Sequence, residues 1–227
     1  MKLDRVIAVR NNKTVYRDDE RAVKVFVSGA TKAEVFDEAL IQTRMEEIGL
    51  NVPPVLEVTK IDGKWAIVSG HISGKTLSQL MSEEPNRLSD YIDLFISVQA
   101  DIHNSKCPSL TSLKDKMARK IAEREFDAEQ KNSMHSLLDE MSAQSCVCHG
   151  DFTPSNIIID EKGTPYIIDW SSASQGDKFA DIAKTYLLFV IKDKQDAAEL
   201  YLTKICEKLS ADKSEIKKWL PLVEAVK

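Results

Sequence analysis

The chain has 227 residues, with 31 Lys and Arg against 36 Asp and Glu, so its formal net charge is −5. A chain of this length is expected to form one larger domain or two small ones, and its acidic balance makes nucleic acid and anionic membranes unexpected partners. No apolar run is long enough for a signal peptide or a membrane span, and the four cysteines form no CxxC pair. We therefore expect a cytoplasmic protein with reduced thiols.

The first 70 residues predict a small antiparallel sheet with one helix. Five apolar runs bounded by turn signals predict strands, at residues 6–9, 14–16, 22–27, 55–58 and 65–68. Asn11-Asn12 and Asp62-Gly63 are the clearest turn signals. Thr31 and Glu34 form a capping box that predicts the start of a helix, and Gly49 predicts its end.

Residues 71–227 have a mainly helical pattern. The glycine-containing segment 69–74 is typical of a hinge, so we divide the chain into domains at 1–70 and 71–227. Apolar residues at helical spacing predict core-facing helices, the clearest of them over residues 91–102 and 128–141. Residues 113–126 are strongly charged and weakly apolar, which predicts a surface helix or a mobile segment.

Residues 146–170, CVCHGDFTPSNIIIDEKGTPYIIDW, predict two short strands joined by a tight turn. A hairpin folds its ends together, so Asp151, Asn156 and Asp169 are expected to converge. Phosphoryl transfer needs a carboxylate to orient the attacking hydroxyl and oxygen ligands for Mg²⁺, which usually takes only one or two carboxylates. Asp151 fits the first role, and Asn156 and Asp169 fit the second. The alternative is a surface hairpin with incidental polar residues.

The motifs in this stretch also resemble those of a known family. His149-Gly150-Asp151, Asn156 five residues later and Ile168-Asp169-Trp170 are similar to the motifs of the aminoglycoside phosphotransferase and choline-kinase-like family, which is related in fold to protein kinases. The resemblance implies an α+β, bilobal protein-kinase-like fold, with a small antiparallel-sheet amino-terminal lobe carrying one helix and a mainly helical carboxy-terminal lobe. It also implies that Asp151 is the catalytic base and that Asn156 and Asp169 hold Mg²⁺.

The nucleotide-binding residues are assigned by the same resemblance. Lys24, taken alone, would be an outward-facing residue of an alternating strand, but it stands where the family has its phosphate-binding lysine. Glu38 is then its partner in the helix that follows. Gly70 C=O and Ile72 N–H in the hinge are expected to bond the adenine edge, a backbone contact that leaves ATP and GTP equally open. The glycine-rich loop of protein kinases is absent, so no residue is assigned to a phosphate-covering loop.

Two residues are expected to support the site rather than react. The resemblance implies that His149 anchors the catalytic loop by hydrogen bonds. It implies that Asp181, at the start of a later helix, bonds the backbone of the same loop.

The implied function is transfer of the γ-phosphate of a nucleoside triphosphate, ATP or GTP, with Mg²⁺ to a hydroxyl of a small molecule. From residue 191 to 227, eight Lys are balanced by seven acidic residues, and this segment is short for the family's antibiotic kinases. A polycationic aminoglycoside would be attracted by an acidic cluster, so we favour a smaller hydroxylated metabolite such as an amino alcohol or a sugar. A small atypical protein serine/threonine kinase and a non-catalytic nucleotide-binding module are the alternatives. The oligomeric state is not indicated.

Overall fold

The computed structural model describes residues 3, 5–10, 12–142 and 144–227. Asn11, in the first predicted turn, and three residues of the polar amino terminus lie outside the described residues. Contacts divide the chain into two compact units, Met1–Thr76 with Ile157–Ser171, and Leu77–Asn156 with Ser172–Lys227.

The described residues form antiparallel sheets and helices, as expected for the α+β class. The strands are β1 (Arg5–Arg10), β2 (Lys13–Asp18), β3 (Arg21–Phe26), β4 (Val55–Ile61), β5 (Lys64–Gly70), β6 (Gly74–Thr76), β7 (Cys146–Cys148), β8 (Ile157–Asp160), β9 (Pro165–Ile167) and β10 (Ser174–Gly176). The helices are α1 (Lys32–Glu47), α2 (Leu77–Glu83), α3 (Leu88–His103), α4 (Leu113–Glu123), α5 (Ala128–Glu140), α6 (Lys178–Ile191), α7 (Gln195–Leu209), α8 (Lys213–Lys217) and α9 (Leu220–Ala225). Short 3₁₀ turns cover Pro85–Arg87, Pro154–Asn156 and Trp170–Ser172.

The main sheet of the first unit has the strand order β1-β2-β3-β5-β4, so all five predicted strands form. Because side chains alternate across a strand, β3 presents Val23 to one face of the sheet and Phe26 to the other. Val23 is buried in a cluster with residues of β5, and Phe26 is buried with Ile67 against α1. Strand β3 therefore contributes buried apolar residues to both faces of the sheet.

Helix α1 begins at the predicted capping box. The Thr31 side chain accepts a hydrogen bond from Glu34 N–H, and the Glu34 carboxylate accepts one from Thr31 N–H. Val35 and Ala39 pack against the sheet. Gly49 follows the helix with φ +85°, a conformation that glycine adopts without a side-chain clash.

The hairpin β8–β9 forms as predicted, but it groups with the first unit. Strands β6, β8 and β9 make a sheet in the order β6-β8-β9. A side chain at Gly74 would place its Cβ 2.1 Å from Ile159 O, so glycine lets β6 approach β8 closely. The sequence-based division at residue 70 differs from this grouping, because the pairing of β6 with β8 joins segments that are distant in sequence.

The second unit is built on the apolar face of α3. Ile92, Phe95 and Ile102 are fully buried, as their spacing indicates. The Phe95 ring stacks on that of Phe152, with 4.4 Å between the ring centroids. Residues 113–126 include helix α4, whose Met117 and Ile121 are buried.

All four cysteines are free thiols, and Cys107, Cys148 and Cys206 are buried. In the described part of the chain, no helix combines the length and the apolar character needed to cross a bilayer.

The cap of α1 gives a first prediction. Thr31→Ala removes the side-chain acceptor of Glu34 N–H and should lower the free energy of unfolding by about 0.5–2 kcal/mol. Thr31→Ser keeps a hydroxyl acceptor and serves as the control. Urea denaturation measures both, and equal midpoints for the two variants would show that the cap does not stabilise the helix.

Candidate active site

Lys24 points from the sheet towards α1. Its register partner in β5 is Ile67, and directly opposite residues of paired strands share a face. Ile67 packs against Val35 and Ala39 of α1, so Lys24 lies on the helix-covered face. The Lys24 Nζ donates to Glu38 Oε1 at 2.5 Å. Glu38 is therefore paired with the lysine that the resemblance assigned to phosphate.

Glu38 differs from the other acidic residues of its helix in burial. It is 7% exposed, whereas Glu34, Asp37, Glu46 and Glu47 are exposed to solvent. Val35, Ala39 and Gln42 are buried on the same helical face, so the periodicity of α1 brings the Glu38 carboxylate inside. A buried carboxylate requires a partner, because an unpaired charge is costly away from water.

A second lysine, Lys13, belongs to the same cluster, although it was not predicted from the sequence. The Lys13 Nζ donates to Asp169 Oδ1 at 2.6 Å and to Glu38 Oε1 at 3.4 Å. Burial alone would lower the pKa of Lys13, but the charges of Glu38 and Asp169 outweigh it and raise the pKa, so the ammonium stays charged. Strand register would have indicated that Lys13 lies near Lys24. Lys13 pairs with Phe26 and lies two residues before Val15, which pairs with Lys24.

Asp169 follows β9 in a left-handed backbone conformation, with φ +66°. This conformation is uncommon for residues other than glycine, although Asp tolerates it better than most. Besides Lys13, Asp169 Oδ1 lies 3.7 Å from the Lys24 Nζ. The Asp169 carboxylate is therefore in contact with two ammonium groups.

The donor chemistry of Asp169 fits Mg²⁺. Among the described residues, no group of three or more His, Cys, Asp and Glu side chains could hold a metal by itself. Mg²⁺ does not require such a cage, because it commonly binds one or two protein oxygens together with substrate phosphates and water. A single carboxylate such as that of Asp169 is a ligand of that kind.

In the second unit, Asp151 and Asn156 are joined within the loop of residues 149–156, the predicted catalytic loop. Asn156 is 4% exposed, and its Nδ2 donates to Asp151 O at 2.9 Å and to Asp151 Oδ2 at 3.0 Å. The His149 Nδ1 accepts a hydrogen bond from Asp151 N–H at 3.2 Å, and the His149 ring is fully buried. These bonds orient the Asp151 carboxylate and engage the Asn156 nitrogen rather than its oxygen.

Asp181 supports the same loop through a hydrogen bond to the loop's backbone. Its Oδ1 accepts a hydrogen bond from Gly150 N–H at 2.7 Å, and its Oδ2 lies 2.9 Å from His103 Nε2. Burial alone would raise the pKa of Asp181, but the hydrogen bond and charge of His103 and the bond from Gly150 outweigh it and lower the pKa. Asp181 thus stays ionised while linking the end of α3 to the loop.

Lys184 of α6 adds positive charge near Asp151. Its pKa is lowered, first by burial and then by Lys120, and the negative charge of Asp151 partly offsets these effects. Lys184 was not predicted from the sequence as a site residue, because a lysine in a helix is usually solvated.

The residues of the predicted hinge lie in the first unit. Gly70 N–H donates to Pro54 O and His71 N–H donates to Glu20 O, both at 2.9 Å, so these two donors are engaged within the unit. His71 is partly buried, and its Nδ1 is buried without a hydrogen-bond partner. Adenine contacts by Gly70 C=O and Ile72 N–H stay a prediction.

The structure thus brings the predicted residues together in two groups. Lys24, Glu38 and Asp169 meet in the first unit, and Asp151 and Asn156 meet in the second. The convergence of Asp169 with the second group, like the chemical roles of all these residues, stays a prediction.

The second unit also contains a cavity of about 500 Å³ beside the catalytic loop. Thr153, Pro154 and Ser155 of the loop form part of its wall, and residues 192–197 form another part. The second wall carries two Lys and two Asp, so its charges balance. A cavity of this size accommodates a small metabolite.

The catalytic loop gives a prediction about Gly150. Its φ is +76°, and a Cβ there would lie 2.6 Å from Ser172 O. Gly163 has a similar φ of +83° but open space around it, so Gly163→Ala is the matched control. Gly163→Ala should cost about 1–2 kcal/mol of unfolding free energy for backbone strain, and Gly150→Ala should cost clearly more. Equal losses of unfolding free energy for the two variants, measured by urea denaturation, would show that the loop moves away from Ser172 without a further cost.

Comparison with known proteins identifies the family. Residues 5–213 match the sequence profile of the phosphotransferase enzyme family. No curated protein sequence gives a significant match.

Solved structures of similar fold are numerous. An aminoglycoside 3'-phosphotransferase of type VIII is 20% identical with a TM-score of 0.68, over 98% of this chain and 93% of that one. An aminoglycoside phosphotransferase from Streptomyces rimosus, in complex with ADP and streptomycin, is 18% identical with a TM-score of 0.68, over 97% and 92%. A choline/ethanolamine kinase family protein from Mesorhizobium loti is 14% identical with a TM-score of 0.66, over 100% and 77%.

These matches confirm the protein-kinase-like fold and the resemblance seen in the catalytic-loop motifs. The chain belongs to the phosphotransferase enzyme family.

Proposed function

We propose that this protein is a kinase that transfers the γ-phosphate of a nucleoside triphosphate, ATP in the first instance, to a hydroxyl group of a small molecule. The observation that carries the proposal is the Lys24–Glu38 pair at 2.5 Å, beside the carboxylate of Asp169. Kinase sites combine a lysine that contacts the nucleotide phosphates with a carboxylate that holds Mg²⁺, and Lys24 and Asp169 would supply these two groups. Membership of the phosphotransferase enzyme family supports the same reading.

The proposed roles follow from the chemistry of each group. Asp151 orients the acceptor hydroxyl and takes its proton, and its bonds to Asn156 preset the orientation of the carboxylate. Lys24 holds the phosphates, with Glu38 fixing the direction of its ammonium. Asp169 and the Asn156 oxygen would hold Mg²⁺, which supplies charge neutralisation on the phosphates when bound.

The remaining roles concern placement. Gly70 C=O and Ile72 N–H would bond the base of the nucleotide. His149 and Asp181 keep the catalytic loop in shape through their bonds to the backbone N–H groups of Asp151 and Gly150. Neither His149 nor Asp181 takes part in the proposed phosphoryl transfer.

The acceptor is proposed to be a small hydroxylated metabolite, an amino alcohol or a sugar, bound in the cavity beside Thr153 and Ser155. The wall formed by residues 192–197 has balanced charge, and Lys184 places positive charge near Asp151. Both features disfavour a polycation, which a cleft of opposite charge would attract. A related structure contains streptomycin, so aminoglycosides belong in the test.

A turnover assay with Mg-ATP or Mg-GTP against a library of metabolites, aminoglycosides and proteins tests the function. Asp151→Asn should lower turnover by about 10²-fold or more, because it removes the proton acceptor, while nucleotide affinity changes little. Asp101→Asn, at an exposed position of α3, is the matched control and should retain full activity.

The outcomes separate the alternatives. Transfer only to aminoglycosides would refute the small-metabolite acceptor, and transfer only to protein would indicate a protein kinase. Nucleotide binding without transfer to any substrate would indicate a binding module. Full activity of Asp151→Asn would exclude Asp151 as the proton acceptor.

A further inference from the structure

The ion cluster of the first unit contains one more cation than the proposed function uses. Lys24, Glu38 and Asp169 have assigned roles, but Lys13 has none, although its Nζ lies 2.6 Å from Asp169 Oδ1. Its side chain is 8% exposed, which makes it less accessible than that of Lys24, at 18%. A lysine is rarely buried to this extent unless its charge is paired.

The position of Lys13 follows from strand register. Lys13 opens β2, and its partner across the sheet is Phe26, two residues after Lys24. Lys13, Phe26 and Lys24 therefore share the face of the sheet that α1 covers. Two ammonium groups thus reach one pair of carboxylates from adjacent strands.

The four charges of the cluster sum to zero. Both lysines lie within 4 Å of both carboxylates, at 2.6 and 3.4 Å for Lys13 and at 2.5 and 3.7 Å for Lys24. A metal ion held by Asp169 would bring a second cation to the carboxylate that the Lys13 ammonium now contacts. Two cations at one carboxylate repel each other strongly at low dielectric, which would favour departure of Lys13 from Asp169.

Glu38 Oε1, at 3.4 Å, would remain one partner of a displaced Lys13 ammonium, but the same oxygen is already bonded to Lys24. The phosphates that accompany the metal would supply the second anion. The four-carbon stem of lysine allows such a transfer without movement of the strand. A purely structural ion pair is the competing explanation. It would hold Asp169 in the same way whether nucleotide is present or absent.

We propose that Lys13 is a second nucleotide-positioning lysine, which neutralises Asp169 in the free protein and moves to the nucleotide phosphates when metal-bound nucleotide occupies the site. The inference rests on the proposed function and adds a residue to it. It also couples nucleotide affinity to the metal, because Lys13 is available to phosphate only after it has left Asp169.

Equilibrium binding of ATP, measured calorimetrically with Mg²⁺ and with EDTA, tests the inference. Lys13→Met should weaken binding with Mg²⁺ by about 10-fold or more, the scale of a lost hydrogen bond to a charged group. With EDTA the loss should be at most about 3-fold, because Lys13 then stays on Asp169 in the unsubstituted protein. Lys64→Met, an exposed lysine of β5, is the matched control and should bind as the unsubstituted protein does.

Lys13→Met leaves two buried carboxylates with one cation, which can destabilise the fold. Lys13→Arg keeps the charge, so it tests the inference even if Lys13→Met does not fold. A guanidinium binds a carboxylate through two parallel hydrogen bonds and releases it less readily. The Mg²⁺ concentration for half-maximal ATP binding should therefore rise several-fold in Lys13→Arg.

The results distinguish this inference from the proposed function. If the unsubstituted protein binds no nucleotide, the kinase proposal fails and the role of Lys13 fails with it. If it binds ATP and Lys24→Met abolishes binding, the nucleotide site stands. Equal losses for Lys13→Met with and without Mg²⁺, or an unchanged Mg²⁺ midpoint in Lys13→Arg, would then leave Lys13 as a structural residue and overturn the inference.

Discussion

The structure of the first unit depends on a balance of charge in a poorly solvated space. Lys13, Lys24, Glu38 and Asp169 come from two strands, a helix and the end of a hairpin, and each is paired with groups of opposite sign. Buried ion pairs add little net stability, whereas an unpaired buried charge is strongly destabilising. The cluster therefore makes the register of these elements interdependent and fixes the direction of the Lys24 ammonium.

In the second unit, a single buried carboxylate likewise needs partners for its charge. Asp181 is almost completely buried and is bonded at one oxygen to the backbone of Gly150 and at the other to the ring of His103. One ion thereby ties the start of α6 to both the catalytic loop and the end of α3. The loop needs such an anchor because Gly150 is left-handed and the loop itself has little regular structure.

Local patterns were enough to predict most of the fold. The capping box at Thr31, the alternation in β3 and the helical stripe of α3 each act over a few residues, and each element forms as expected. The pairing of β6 with β8 was not predictable in this way, since nothing local in Gly74 indicates a partner near residue 160.

In the candidate site, too, local sequence patterns revealed some residues, whereas others became visible only in the tertiary structure. Motif spacing pointed to Asp151, Asn156 and Asp169, because residue type and separation are visible in the sequence. Lys13 was missed because its importance arises from strand register and tertiary burial, and a lysine beside a turn is ordinarily solvated. The orientation of Asn156, with its nitrogen on Asp151, likewise becomes visible only in three dimensions.

The grouping of Ile157–Ser171 with the first unit has a consequence for synthesis. The amino-terminal sheet emerges from the ribosome well before the segment that carries β8, β9 and Asp169. Until that segment emerges, Lys13 and Lys24 share only Glu38, and the nascent unit holds an excess of positive charge. Completion of the first unit is thus delayed until much of the second has been translated, and no single proteolytic cut would release either unit intact.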